Sequence, residues 1–386
     1  MIGGVIFYWR LERSKAFHLD QYPFFSILVP CHNEEKHIEK TVNQLLRADY
    51  PDFEIILIED GSTDNTRAII KKLAKRHERV RAIYLDHNQG KATSLNIGAI
   101  AARAEFLLTL DADALLDITA LKWIAWHFIN YPRVGAVTGN PRVLNRSSLL
   151  GKIQVGEYST IIGLIKRTQR ILGKVLTVSG VVAAFRKQAL VSVGFWDSDM
   201  VTEDIDITWK LKKQFWDIRY EPRCVCWVLV PETIRGLWRQ RFRWSQGGIE
   251  VLKKHWDIWT SWRQRRLWPV YLEYFTSVLW AYSFWAFVCI WSLNLVWPTS
   301  FYVVSPMPPR WTGSILALTC VIQFFVSIYV DRKYDQKMIK YLFWVIWYPF
   351  AYWAISSLTV VVATPKGLLK KKGVKAIWKS PDRGLG

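Results

Sequence analysis

Cysteine is scarce: the five residues Cys31, Cys224, Cys226, Cys289 and Cys320 form no Cys-x-x-Cys pair, which leaves no sign of a disulfide framework and fits a reduced, cytosolic face. The histidines His32, His37, His77, His87 and His127 show no metal spacing and read as surface or packing residues. Internal repeats and low-complexity tracts are missing. Acidic residues are outnumbered, 32 Asp+Glu against 52 Lys+Arg, for a formal net charge of +20. No basic block interleaves with aromatics in the soluble part, which argues against nucleic acid. Anionic lipid headgroups and an anionic substrate explain the charge better. A signal peptide is not evident, because Arg10, Arg13 and Lys15 follow the apolar residues 2–9 and no small-residue cleavage site comes after them. Residues 1–15 read as the tail end of a membrane helix plus a basic stop.

Apolar residues make up 51% of the 386-residue chain, and its 22 Trp concentrate after Trp238. Three apolar stretches, 267–297, 311–330 and 341–363, each approach or exceed the ~20 residues that cross a hydrocarbon core. Their Trp and Tyr suit membrane interfaces. The Arg-rich stretch 235–266, the basic stop and residues 332–340 all ask for the cytoplasmic side, which two spans satisfy. The third stretch either crosses, against that rule for Lys370–Lys371–Lys372, or is re-entrant and broken at Pro349.

Ahead of these stretches the pattern alternates. Strands are expected at 25–30, 54–59, 80–85, 106–110 and 135–138, with helices at 34–47, 64–77, 91–103 and 118–130. Strands separated by helices of this length argue a parallel, doubly wound α/β sheet of Rossmann type. Further on, 153–171 and 209–213 read as helical, and 175–185 and 218–230 as strand-like. Residues 233–266 form an amphipathic, basic, Trp-rich interfacial region, and 365–386 a basic tail, partly disordered.

The central stretch is Phe-Leu-Leu-Thr-Leu-Asp-Ala-Asp, residues 106–113. Its apolar run suits a strand buried on both faces. In open α/β sheets ligands bind past the carboxyl ends of strands, and Asp111 and Asp113 stand there. Two carboxylates on such a turn suit a hard divalent cation shared with substrate phosphates; a solvated turn is the plain alternative. Three more clusters fall at expected strand ends: Pro30-Cys31-His32-Asn33-Glu34, Glu59-Asp60-Gly61, and Asn88-Gln89-Gly90-Lys91. Asp60 suits a uracil or ribose. Lys91 opens a helix, where its charge adds to the helix N-terminus for phosphate. Asp64 reads as a helix cap.

Downstream stand Thr202-Glu203-Asp204 and Gln240-Arg241-Phe242-Arg243-Trp244. Asp60, Asp111/Asp113, Asp204 and Gln-x-x-Arg-Trp, in this order and at these separations, resemble the processive family-two glycosyltransferases of the GT-A fold, among them the cellulose, chitin and hyaluronan synthases. The resemblance spans about 25–244, with membrane helices following. Asn140-Pro141-Arg142, residues 151–168, residues 200–207 and the terminal 380–384 are similar to the bacterial subgroup that makes poly-β-1,6-N-acetyl-D-glucosamine, a biofilm exopolysaccharide. Members of that subgroup start with additional membrane sequence, most of which is not in this chain.

The resemblance implies a GT-A domain over residues 16–232 and a transmembrane region over 267–364. It implies an inverting transfer from UDP-N-acetylglucosamine, with Mg²⁺ or Mn²⁺ held at Asp111 and Asp113. Asp204, beside Glu203, is then the base. Pro30, Asn33, Glu34, Asp60, Lys91 and Asp111 line the nucleotide-sugar site. Gln240, Arg243, Trp244 and Asn140 contact the diphosphate or the acceptor polymer. The family further implies translocation across the bacterial cell membrane, a small membrane partner subunit and control by a cyclic dinucleotide. No residue here displays the last two: the spacing of Arg235, Arg239 and Arg243 invites a cyclic-dinucleotide reading, but no Asp-x-Ser-x-x-Gly pattern follows and lipid phosphates suit Arg235 and Arg239 better. A chitin- or hyaluronan-like synthase, a lipid-phosphate glycosyltransferase, and a non-catalytic nucleotide-sensing scaffold remain as alternatives.

Overall fold

The computed structural model describes residues 1–12, 19–297, 311–345, 348 and 352–377. Arg13, Lys15, Pro349 and residues 380–384 lie outside the described residues.

Eight strands build one sheet: β1 Phe25–Cys31, β2 Phe53–Asp60, β3 Val80–Leu85, β4 Phe106–Leu110, β5 Leu115–Leu116, β6 Val134–Val143, β7 Val182–Arg186 and β8 Asp217–Val228. Their order is β3-β2-β1-β4-β7-β6-β8-β5. Every residue of β1, β2 and β4 is buried, which is why each reads as a continuous apolar run rather than an alternation. These strands and β3 pair in parallel, with Phe25 opposite both Phe53 and Phe106. Their carboxyl ends therefore share one edge.

The second half departs from the all-parallel expectation. β7 runs antiparallel between β4 and β6, and the sheet is mixed. The expected strand 175–185 pairs only from Val182. Because Leu110 faces Val182, the chain just before β7 is carried to the same edge as Asp111. The strand expected at 135–138 extends to Val143, through Asn140-Pro141-Arg142. Asn140 is buried there and its amide donates to the Pro222 carbonyl at 2.7 Å.

Helical segments Leu149–Glu157, Tyr158–Leu164 and Ile165–Ile171 run on into one another. They pack against the N-terminal helix Ile2–Phe7 and the helix Trp311–Asp331. A buried ionic cluster ties these pieces together. Asp331 lies 2.7 Å from Arg142 and 2.8 Å from Arg167, and Arg167 also donates to Glu12.

Helix Ile234–Lys254 follows β8. Among the described residues, one helix is long and apolar enough to cross a membrane: Trp268–Val296, with 29 residues. Helices Trp311–Asp331 and Trp353–Leu369 are also apolar. The stretch 341–363 is not one helix: a 3₁₀ turn Gln336–Tyr341 and a short helix Leu342–Val345 precede Trp353–Leu369. That last helix lies along Ile234–Lys254. Beyond it Lys370 reaches Glu250 at 3.1 Å, and Ala376 donates to the Ser198 carbonyl at 2.9 Å. The tail through residue 377 thus rests on the sheet domain.

Candidate active site

The loop after β1 and the loop after β2 hold each other. Asn33 accepts from the Thr63 amide at 2.8 Å, and its own amide donates to the Ser62 hydroxyl at 3.1 Å. Asn33 adopts a positive φ of 56°, a conformation that Asn tolerates better than most side chains. Pro30 is buried within β1. Glu34 is buried just beyond, its amide donating to the Thr66 hydroxyl at 2.7 Å. The expected helix 64–77 begins at Thr66, and Asn65 is its flanking residue. Asp64 still accepts from the Thr66 amide at 2.9 Å and also from the Glu35 amide at 3.1 Å. Partial burial works against its ionisation, but those hydrogen bonds prevail and lower its pKa.

Asp60 ends β2 fully buried. Its carboxylate accepts from the Gln89 amide at 2.7 Å and the Gly90 amide at 3.0 Å. The strand-end acid and the loop ahead of Lys91 are thereby one unit. Lys91 opens helix Lys91–Ala101 and reaches across the edge. Its ammonium lies 2.6 Å from Asp111 Oδ1, 2.9 Å from the Gly180 carbonyl and 3.2 Å from Glu203 Oε1. Burial disfavours that charge, but Asp111, Glu203 and Asp204 outweigh it and raise the lysine pKa.

Glu203 and Asp204 start helix Glu203–Lys213. The backbone at Gly180 passes so close that a Cβ there would lie 3.0 Å from Asp204 Oδ2. Asp204 is the perturbed acid of the site, its pKa raised to about 6. Burial is the main cause and the Glu203 charge adds to it. Lys91, the Ile205 amide and Lys166 pull the other way. A carboxyl poised near neutrality suits proton transfer.

Asp113 stands two residues past Asp111 on the same turn, partly exposed. Among the described residues no cluster of three or more His, Cys, Asp or Glu could hold a metal by itself. Two carboxylate groups at a strand end are a donor set that a cation completes with substrate phosphates and water.

The Gln-x-x-Arg-Trp segment lies on helix Ile234–Lys254. Gln240 is part-buried, and among the described residues its Oε1 has no hydrogen-bond partner. Arg243 is exposed and Trp244 intermediate. The buried arginine of the segment is instead Arg241. It lies over the Trp244 ring at 4.2 Å and donates to Glu157 and to the Tyr352 hydroxyl, each at 2.6 Å. Farther along, Gly248 allows contact with the Tyr274 hydroxyl, where any side chain would collide. Gly247 abuts Thr202, the residue before Glu203. The helix therefore braces the start of the Glu203–Asp204 turn against the long apolar helix.

Sequence reasoning missed Glu157, Lys166, Arg241 and Tyr352. The first two fall in the string 151–168, and Arg241 is a variable position of its motif.

A mixed sheet carrying these acids and a lysine at one edge is the GT-A arrangement. A mannosyltransferase from Pyrobaculum calidifontis, solved in complex with GDP-Man and Mn²⁺, superposes over 96% of each chain with a TM-score of 0.64 at 20% identity. A model described as "Glycosyltransferase like family 2" matches residues 23–247. The chain belongs to that family. Its full length is 41% identical to poly-beta-1,6-N-acetyl-D-glucosamine synthase of Staphylococcus epidermidis, covering 95% of that protein. It is 40% identical to the synthase of the same name from Staphylococcus aureus strain COL, again over 100% of this chain and 95% of the relative.

Proposed function

We propose that the chain is a membrane-bound inverting transferase that extends a β-1,6-linked N-acetylglucosamine polymer from UDP-N-acetylglucosamine and passes it across the cell membrane into a biofilm matrix. The observation that carries this reading is the single edge on which Asp60, Lys91, Asp111, Glu203 and Asp204 meet, in a chain about two-fifths identical end to end to synthases of that name.

The donor occupies the loops beyond β1, β2 and β4. Asp60, with Pro30, Asn33 and Glu34 beside it, shapes the uridine pocket. Lys91 turns its ammonium to the diphosphate. Asp111 and Asp113 would hold Mg²⁺ or Mn²⁺, which supplies neutralisation of the leaving diphosphate. Asp204 takes the proton of the acceptor hydroxyl as its oxygen bonds to the anomeric carbon and the bond to the diphosphate oxygen breaks. One direct displacement inverts that carbon, so an α-linked donor yields a β-linkage. Glu203 holds Lys91 in place. Trp244 offers an indole face to an acceptor sugar, its orientation fixed by Arg241; Gln240 and Arg243 complete the acceptor and diphosphate contacts. Asn140 acts through the β6–β8 pairing rather than by contact.

In this reading residues 16–232 are the catalytic domain, on the cytoplasmic side, 233–266 the interfacial region and 267–364 a multi-pass membrane region. A small membrane subunit and control by a cyclic dinucleotide belong to the same proposal. Co-purification and dinucleotide titration of activity test them. The reading itself is tested by incubating membranes with UDP-N-acetylglucosamine and Mg²⁺, then assaying UDP release and product linkage. Another linkage would redirect it to a different β-glycan.

A further inference from the structure

Lys166 lies on helix Ile165–Ile171, in the string 151–168, and no role has fallen to it so far. The neighbouring Arg167 turns to Glu12 and Asp331. Lys166 turns the other way, toward the sheet, and its side chain is buried, 6% exposed. Among the described residues its ammonium makes one hydrogen bond, to the Thr138 hydroxyl on β6 at 3.3 Å. That hydroxyl also accepts from the Ser179 amide at 2.8 Å. The next residue is Gly180, whose backbone presses on Asp204. Lys166, Thr138, Ser179, Gly180 and Asp204 thus follow one another along one wall, buried at Lys166 and Thr138 and partly exposed at the other three.

A buried ammonium normally sits in direct contact with a carboxylate, because an uncompensated charge in a low-dielectric site is costly. Among the described residues no ion pair is formed by Lys166. The carboxylate whose field reaches it is Asp204. The two lysines near that acid differ in their company. Lys91 has Asp111 and Glu203 in contact, whereas Lys166, among the described residues, has no carboxylate in contact.

We propose that Lys166 is a positioning residue for proton transfer: a buried positive charge behind the Thr138–Ser179–Gly180 contacts to Asp204 that keeps that carboxylate ionised until the acceptor hydroxyl gives up its proton. This rests on the reading of Asp204 as the base. The groups facing Asp204 are Glu203 on its own helix, Lys91 on Lys91–Ala101, Lys166 on Ile165–Ile171 and Tyr274 on Trp268–Val296. When a diphosphate binds beside Lys91, part of that lysine's field is spent on the phosphates, and Lys166 keeps acting on Asp204. Once Asp204 is protonated, Lys166 stands next to a neutral acid, which favours passing the proton on to solvent and restores the base for the next sugar. Burial pulls the pKa of Lys166 down to about 8, with Asp204 opposing. Asp204 therefore ionises while Lys166 is still charged, and the lysine acts on the acid limb of the pH profile.

The experiment measures UDP release from UDP-N-acetylglucosamine with Mg²⁺, from about pH 5 to about pH 10, by wild-type, Lys166→Met and Lys166→Arg membranes. The wild-type profile is expected to rise through the Asp204 value and level off above it. Lys166→Met shifts the acid limb upward by about one pH unit, which lowers kcat by ~10-fold near pH 5 and only ~2-fold near neutrality, with less than ~2-fold change in donor KM. Lys166→Arg, whose guanidinium stays charged throughout, keeps the acid limb where the wild type has it. An acid limb that stays in place in Lys166→Met overturns the proposal. So does a Lys166→Met enzyme slowed by one constant factor at every pH, or a Lys166→Arg enzyme whose acid limb moves upward by about one pH unit. Failure of the base assignment itself looks different: Asp204→Asn would then remain active.

Discussion

Lys91 spans the edge of the sheet to Asp111, ammonium to carboxylate at 2.6 Å, and so fixes the helix behind one strand to the acid at the end of another. The pair is only partly exposed, at 16% and 22% of the side chains. A nucleotide diphosphate arriving here meets a cation already aimed at it. Lys91→Met is expected to lower kcat/KM for the donor by ~10- to 100-fold, the worth of a charge-assisted hydrogen bond of ~1.5–3 kcal/mol. Most of the loss should appear as a raised donor KM, read from initial rates of UDP release. An unchanged KM would place the diphosphate elsewhere.

Asp113 is the acid whose removal should be felt through the cation. Asp113→Asn is expected to raise the Mg²⁺ or Mn²⁺ concentration for half-maximal activity by at least ~10-fold, with partial recovery at high metal. Metal titration of UDP release checks this. Full activity at the wild-type metal requirement would remove Asp113 from the site.

Glu157 neutralises Arg241 of helix Ile234–Lys254 beside Tyr352, which flanks the start of helix Trp353–Leu369. Both side chains are under one-tenth exposed. Glu157→Gln leaves the guanidinium buried with a neutral acceptor, and about 3 kcal/mol of stability is expected to go with it. Thermal unfolding in detergent should show the fall. Because Arg241 also stacks on Trp244, acceptor affinity should weaken in any protein that still folds.

Much of the first half was legible because physics leaves strong marks there. Val80–Leu85 and Phe106–Leu110 carry the bounds read from sequence; Phe106–Leu110, buried throughout, is an apolar run that stops at a polar turn, and the partly exposed Val80–Leu85 ends at a polar turn too. The edge cluster was legible for the same reason: Asp60 and Asp111 sit where such runs stop. Residues 175–185 misled, because apolar β-branched chain can be extended without pairing, and only Val182 onward joins the ladder. The strand expected at 135–138 runs on to Val143, where the Asn140 amide reaches the Pro222 carbonyl and Arg142 pairs with Asp331 inside the longer strand. Lys166 and Arg241 left no local signal. Arg241 finds Glu157 at a separation of 84 residues, and Lys166 faces an acid on another element. Periodicity within a helix says nothing of such meetings.

The pH dependence of wild-type turnover follows from Asp204. Its pKa, raised to about 6 by burial and by Glu203, marks where the base form is lost as pH falls. The sign is that of a required carboxylate: protonation stops it, so kcat should fall tenfold per pH unit below that value and level off above it.

The most direct measurement is UDP release and polymer formation by Asp204→Asn membranes supplied with UDP-N-acetylglucosamine and a divalent cation, beside wild type. The account predicts sugar polymer and UDP from wild type, and a loss of ~10²-fold or more in the variant with donor binding retained. Turnover by Asp204→Asn at the wild-type rate, with the same product, would contradict it.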